Sequence, residues 1–118
     1  MKRLFLVVDH ALFREGLAIL LEWHTGLGSV QAGSLAEAQH ILNDTKDKPA
    51  CAIVDLDLPD GDGIELLEQL RGLPVLALTT NRALERRDRA LDAGADEVLA
   101  VSESAEEIAD AVRRLVGR

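Results

Sequence analysis

Residues 52–63 read AIVDLDLPDGDG, which places Asp55, Asp57, Asp60 and Asp62 within eight positions and with no basic residue among them. Carboxylates this close repel one another and make ionisation costly. Such a cluster becomes stable when its members share a divalent cation, and an oxygen-only donor set suits Mg2+. Further polar groups close other apolar runs: Asp9 follows LFLVV at residues 4–8, and Thr79 and Thr80 end PVLALTT at 74–80. The chemistry these residues can do depends on whether the chain brings the ends of those runs together.

The intervening segments supply the means. Short apolar runs alternate with longer amphipathic stretches. LFLVV precedes ALFREGLAILLEWH (11–24), in which Leu12, Leu17, Leu20 and Leu21 recur at helical spacing. A weaker strand around 29–33 precedes a helix from Ser34, where Ser34 and Glu37 form a capping-box pattern. CAIVDL (51–56) leads to GIELLEQLR (63–71), and PVLALTT leads to a helix over about 83–93 that stops at Gly94. DEVLAV (96–101) leads to SAEEIADAVRRLV (104–116), opened by a second capping pair, Ser104 and Glu107.

Five strand–helix units in which strands 4–8, 51–56 and 74–78 are almost wholly apolar predict an α/β fold. The expected architecture is a doubly wound, five-stranded parallel sheet with helices on both faces. Ligands of such sheets sit beyond the carboxyl ends of the strands, where strand order reverses. Asp9, Asp55 and the hydroxyl of the fourth strand, which ends at Thr79 and Thr80, would converge there.

Composition bounds the alternatives. A chain of 118 residues with 47% hydrophobic and 29% charged residues suits one globular domain with a core of its own. The aromatic residues are only Phe5, Phe13 and Trp23, so that core must be aliphatic. A formal net charge of −8 argues against non-specific binding to DNA or to an anionic membrane by this chain alone. Cys51 is the sole cysteine, which excludes an internal disulfide and a cysteine-based zinc site, and it reads as a core residue. The opening MKRLFLVVDH reaches Asp9 too soon for a secretory leader and reads as a strand. No segment approaches the roughly 20 apolar residues of a membrane span, so a cytoplasmic location is expected. His10, His24 and His40 are dispersed and offer no metal-ligand spacing on one helix. Arg82, Arg86, Arg87 and Arg89, interleaved with Glu85, Asp88 and Asp92, read as a solvated basic face of the fourth helix.

VVDHALFREGL, AIVDLDLPDGDG, PVLALTT and DAGADEVL, in this order and spacing, resemble the successive signatures of response-regulator receiver domains of two-component signalling. The resemblance covers essentially the whole chain, and DHALFREGL is most similar to the branch that carries a C-terminal helix-turn-helix DNA-binding domain. It implies a (βα)5 fold of flavodoxin-like strand order 2-1-3-4-5, with 1–118 as a single receiver domain and any DNA binding confined to a separate domain. It implies that Asp55 is the phosphoacceptor, attacking a phosphohistidine of a sensor histidine kinase, and that Thr79 hydrogen-bonds the resulting acyl phosphate. Asp9, Asp55 and the backbone carbonyl of Asp57 would hold Mg2+. Pro59 and Gly63 would shape the loop, and Asp60 and Asp62 would serve the turn and a helix start. Catalysis would be limited to Mg2+-dependent self-phosphorylation and dephosphorylation at Asp55. Homodimers would form through the fourth helix, fifth strand and fifth helix.

Three positions depart from the family pattern. Val8 stands where an acid normally precedes Asp9, which predicts weaker Mg2+ binding; Val101 stands where a lysine contacts the phosphoryl group; and Val98 replaces an aromatic switch residue. These departures raise a second reading, a phosphorylation-independent dimerisation or protein-interaction module. Other readings of the acidic stretch fit less well. DLDLP begins like the motif of haloacid-dehalogenase phosphatases, which need a longer chain. In GDGIEL, Leu66 occupies the third glycine position of a dinucleotide loop, and no register satisfies an EF-hand.

Overall fold

The structure, a computed structural model, describes residues 2–80 and 83–117. In chain order its elements are β1 (Leu4–Val7), α1 (Ala11–Thr25), β2 (Ser29–Ala32), α2 (Leu35–Asp44), β3 (Cys51–Asp55), β4 (Asp57–Leu58), β5 (Gly61–Asp62), α3 (Ile64–Gln69), β6 (Val75–Thr79), α4 (Leu84–Ala93), β7 (Glu97–Ala100) and α5 (Ala105–Val116). The main sheet is parallel in the order β2-β1-β3-β6-β7. With the two-residue strands β4 and β5 set aside as a separate antiparallel hairpin, this is the expected order 2-1-3-4-5.

The strands are apolar along their length because both faces are covered. Side chains alternate across a strand, and the register turns that alternation into two cores. Phe5, Val7, Ala52, Val54, Val75 and Ala77 pack with Leu35 and Ala38 of α2, Leu66 and Leu67 of α3, and Ala90 and Ala93 of α4. Leu4, Leu6, Cys51, Ile53, Leu76 and Leu78 pack on the opposite side with Leu17 and Leu21 of α1 and Ile108, Ala111, Val112 and Leu115 of α5. Full burial of each such Val, Leu, Ile or Phe side chain contributes about 1.5–3 kcal/mol. Cys51 lies in the second core, and burial pushes its thiol up to about 12, as suits a structural residue.

The helix ends follow their local chemistry. Ser34 and Ser104 each accept the backbone N–H three residues on, from Glu37 and Glu107, at 3.1 Å. Gly26 ends α1 in the left-handed region (φ 75°), and its N–H donates to the Glu22 carbonyl at 2.8 Å. Three expectations shift. Leu12 is 86% exposed rather than part of the core, which α1 contacts through Leu17 and Leu21. The third helix stops at Gln69, two residues early. The last strand begins at Glu97, and Asp96 before it is joined to Val75 twice, its N–H donating to the Val75 carbonyl and its carboxylate accepting the Val75 N–H, each at 2.8 Å.

Candidate functional site

Parallel order and register align the strand ends along one edge. Asp9 follows β1, Asp55 is the last residue of β3, and Thr79 is the last residue of β6. Asp55 pairs with Leu78, one residue before Thr79, so the carboxylate and the hydroxyl stand on neighbouring strand termini.

Asp55 is only 7% exposed. Its Oδ1 accepts the Asp57 N–H at 2.9 Å, fixing the turn that leaves the sheet. Burial raises its pKa above the ordinary carboxylate value, and the charges of Asp57 and Asp9 add to that rise; the Asp57 N–H and His10 oppose it. Asp9 is thus near enough to be felt by Asp55. Its loop is fastened by Arg14, whose Nη1 donates to the Val8 carbonyl at 2.7 Å and to the Asp9 carbonyl at 3.2 Å.

The loop after β3 is tight against the strand end. A Cβ on Gly63 would lie 2.5 Å from the Asp55 carbonyl oxygen and 2.8 Å from Leu56 Cα, so glycine is required by close approach rather than by its φ. The Gly63 N–H donates to the Leu56 carbonyl at 2.9 Å. Asp62 accepts the Ile64 N–H at 3.0 Å and so caps the start of α3. Asp60 caps a different helix: its two oxygens accept the N–H groups of Leu35 and Ala36 at 2.8 and 2.9 Å, at the start of α2.

The Asp57 side chain turns toward β6. Its Oδ2 accepts the Thr80 N–H at 2.9 Å, the Thr80 hydroxyl at 3.0 Å and the Thr79 hydroxyl at 3.3 Å. Arg86 of α4 completes the arrangement. Its Nη2 donates to the Leu56 carbonyl at 3.0 Å and to Asp57 Oδ1 at 3.2 Å, and its Nη1 donates to Asp62 Oδ2 at 3.1 Å. Partial burial would raise the Asp57 and Asp62 pKa values. The Thr80 N–H and hydroxyl and Arg86 outweigh it at Asp57, and Arg86 and the Ile64 N–H outweigh it at Asp62, so both fall below the usual range.

Arg86 is the site residue that sequence reasoning passed over, and its reading as part of a solvated face is corrected; Thr80, expected at the strand end with Thr79, is found there holding the Asp57 carboxylate. The Arg86 side chain is only 16% exposed. Helical spacing carries the signal: residues 86, 90 and 93 share a face, and Ala90 and Ala93 are the buried residues of α4. An arginine one turn before that stripe must extend over the sheet end. Arg87 and Arg89 are exposed, and Arg82 lies outside the described residues.

The family departures fall into the scaffold. Val8 is 1% exposed within the α1/α5-side core, and Val98 is buried in the other core. The Val101 N–H donates to the Thr79 carbonyl at 2.9 Å, so an apolar side chain stands beside the end of β6. The residues expected from the sequence to hold a metal are hard oxygen donors, and of these the Asp55 carboxylate is buried and feels the charge of Asp9. Among the described residues no group of three or more His, Cys, Asp or Glu side chains could hold a metal ion. Two neighbouring carboxylates fit Mg2+, which keeps several waters and takes few protein ligands.

The family model for the response regulator receiver domain matches residues 4–113. The transcriptional regulatory protein PmrA of Pectobacterium parmentieri is 36% identical over 120 residues, covering 98% of this chain and 53% of that protein. The virulence transcriptional regulatory protein PhoP of Salmonella typhimurium (strain LT2) is 34% identical over 122 residues, covering 100% of this chain and 53% of that protein. The chain therefore spans about half the length of the curated relatives it matches. Among solved structures, a LuxR-family two-component response regulator from Aurantimonas sp. SI85-9A1 superposes with a TM-score of 0.86 at 28% identity, covering 99% of this chain and 86% of that one. A response regulator from Burkholderia pseudomallei, solved with a phosphorylated aspartic acid, calcium ion and citrate, gives 0.84 at 26% identity, covering 99% and 69%. Strand order, the acid-terminated strands and these matches agree: the chain belongs to the response regulator receiver domain family.

Proposed function

We propose that this receiver domain accepts a phosphoryl group on Asp55 from the phosphohistidine of a sensor histidine kinase, and that the product regulates transcription through a separate DNA-binding domain. The observation that carries the proposal is a buried carboxylate at the end of β3 with Asp9 beside it and Thr79 on the next strand end. The phosphorylated aspartic acid of the similar Burkholderia pseudomallei protein supports it.

In the transfer, the Asp55 carboxylate oxygen not held by the Asp57 N–H attacks phosphorus. An O–P bond forms, the N–P bond of the phosphohistidine breaks, and its electron pair leaves with the imidazole. Asp9, Asp55 and the Asp57 carbonyl would hold Mg2+. When bound, the cation supplies positive charge opposite the transferring phosphoryl oxygens. The Asp57 N–H orients Asp55, and the hydroxyl of Thr79 hydrogen-bonds the acyl phosphate. With valine at positions 8 and 101, metal binding and phosphoryl contact are weaker than the family pattern provides. Dimerisation through α4, β7 and α5, a cytoplasmic location and, at most, Mg2+-dependent self-phosphorylation and dephosphorylation at Asp55 belong to the same proposal.

Amide NMR tests it. Mg2+ with beryllofluoride should shift signals around Asp9, Asp55 and Thr79 in the wild type and leave the Asp55→Asn variant unchanged. Silence of the wild type at millimolar Mg2+ would contradict it.

A second reading has one observation of its own. Thr79, Thr80 and Arg86 all hydrogen-bond the Asp57 carboxylate, which joins the end of β6 to α4 through side chains other than Asp55. A phosphorylation-independent interaction module would keep its dimerisation and output in Asp55→Asn, and loss of either would remove this reading.

A further inference from the structure

Resting on the assignment of Asp55 as phosphoacceptor, we infer that the Asp57 carboxylate is an internal competitor of the phosphoryl group and that Arg86 connects its occupancy to α4. Asp57 Oδ2 draws on the Thr80 N–H, the Thr80 hydroxyl and the Thr79 hydroxyl, all within 3.3 Å. Three converging donors around one anionic oxygen form an anion-binding corner, and a phosphoryl oxygen is recognised by the same chemistry. The corner lies at the end of β6, beside the terminus of β3 that carries Asp55. Asp57 is two residues from Asp55 and donates its own N–H to Asp55 Oδ1 at 2.9 Å.

A phosphoryl group on Asp55 brings further negative charge next to Asp57 and needs the Thr79 hydroxyl that Asp57 now uses. The two anions cannot both hold that corner, so phosphorylation must release the Asp57 carboxylate. Release does not stay local. Asp57 Oδ1 accepts from Arg86 Nη2, which also donates to the Leu56 carbonyl, while Nη1 binds Asp62. Arg86 is held on the inward face of α4, so a change in its partners reaches that helix directly. In a chain with valine at 101, this arginine is the described cation that senses which anion fills the corner. Asp57 is thus a positioning residue that sets the affinity of the site, and Arg86 one that transmits its state.

The test is the apparent affinity for beryllofluoride at saturating Mg2+, read from amide shifts in the wild type, Asp57→Ala, Asp57→Asn, Asp62→Asn and Arg86→Gln. Removing a merely structural contact would weaken binding. Competition predicts a gain of about tenfold or more in Asp57→Ala, the worth of one charge-assisted hydrogen bond. Asp57→Asn keeps the shape and loses the charge, and it should bind more tightly than the wild type even if the alanine variant folds poorly. Asp62→Asn removes a nearby charge without touching the corner, and its gain should stay below about threefold. In Arg86→Gln the amides of Asp55 and Thr79 should still respond while those of α4 no longer do.

A wild type that responds with no gain in either Asp57 variant overturns the competition and leaves the phosphoacceptor assignment standing. An equal gain in Asp62→Asn, or an α4 response that survives Arg86→Gln, overturns it likewise. Silence in every variant removes the phosphoacceptor assignment and the competition together.

Discussion

Arg86 Nη1 lies 3.1 Å from Asp62 Oδ2, joining α4 to the short hairpin that follows β3. The arginine sits in the first turn of its helix, where the dipole disfavours a cation. Two carboxylates and a backbone carbonyl offset that cost, and all three belong to the loop carrying the candidate site. The acidic stretch is therefore not left to repel itself: its charges are divided between a guanidinium, two helix starts and the pocket.

Truncating that guanidinium should cost stability. Arg86→Ala removes the guanidinium hydrogen bonds of Asp57 and Asp62 and uncovers the Leu56 carbonyl. Because both carboxylates are about one-third exposed, water recovers part of the loss, and we expect about 1–2 kcal/mol. Urea denaturation of the variant should show a lower midpoint with an unchanged slope.

Gly63→Ala should be more damaging than an exposed glycine substitution. The new methyl meets the Asp55 carbonyl at 2.5 Å and Leu56 Cα at 2.8 Å, both backbone atoms with little freedom to yield. A cost of about 1–3 kcal/mol is expected, with displaced amide signals at Asp55 and Asp57. Gly16→Ala, where an added Cβ meets nothing within 4 Å, is the matched control and should be neutral or stabilising.

Most of the fold is legible in the sequence because its signals are local. All-apolar runs ending in Asp55 or Thr79, and serines followed three residues later by glutamate, are read without knowing what they pack against. What is not legible depends on partners distant in sequence. Asp60 looks like a turn acid, yet it caps α2, which begins 25 residues earlier. Arg86 sits among arginines of similar appearance and differs from Arg87 and Arg89 only by facing the same way as Ala90 and Ala93. Leu12 fits the apolar rhythm of α1 while lying outside the covered arc. Topology alone puts Asp55, Asp9 and Thr79 at the strand ends, whereas the turn of the Asp57 side chain toward β6 depends on Thr80 and Arg86, distant in sequence.

The Asp60 cap makes its own prediction. In Asp60→Ala the amides of Leu35 and Ala36 lose their acceptors, whereas that of Glu37 keeps Ser34. Hydrogen exchange should accelerate at 35 and 36 and remain slow at 37. Equal acceleration at all three would mean that the helix start as a whole depends on Asp60.

The opposed carboxylate shifts give a pH dependence with two signs. Asp57 and Asp62 titrate below their unfolded values, so their stabilisation is present above about pH 4 and is lost as pH falls through their folded pKa values. Asp55 titrates above its unfolded value. Its ionisation therefore costs stability, fully avoided below about pH 4 and incurred as pH rises through the folded pKa. Without added metal, Asp55→Asn should be more stable than the wild type at neutral pH, with the difference shrinking toward pH 3. Asp62→Asn should be less stable at neutral pH, with its deficit shrinking over the same acid range. Denaturation midpoints across pH measure both.

The most direct measurement of the central claim is the intact mass of the protein after incubation with Mg2+ and a small phosphodonor. One phosphoryl adduct in the wild type that hydroxylamine removes, as it does an acyl phosphate, absent in Asp55→Asn and retained in Asp60→Asn, is the predicted result. No adduct on the wild type, or an adduct that survives Asp55→Asn, would contradict it.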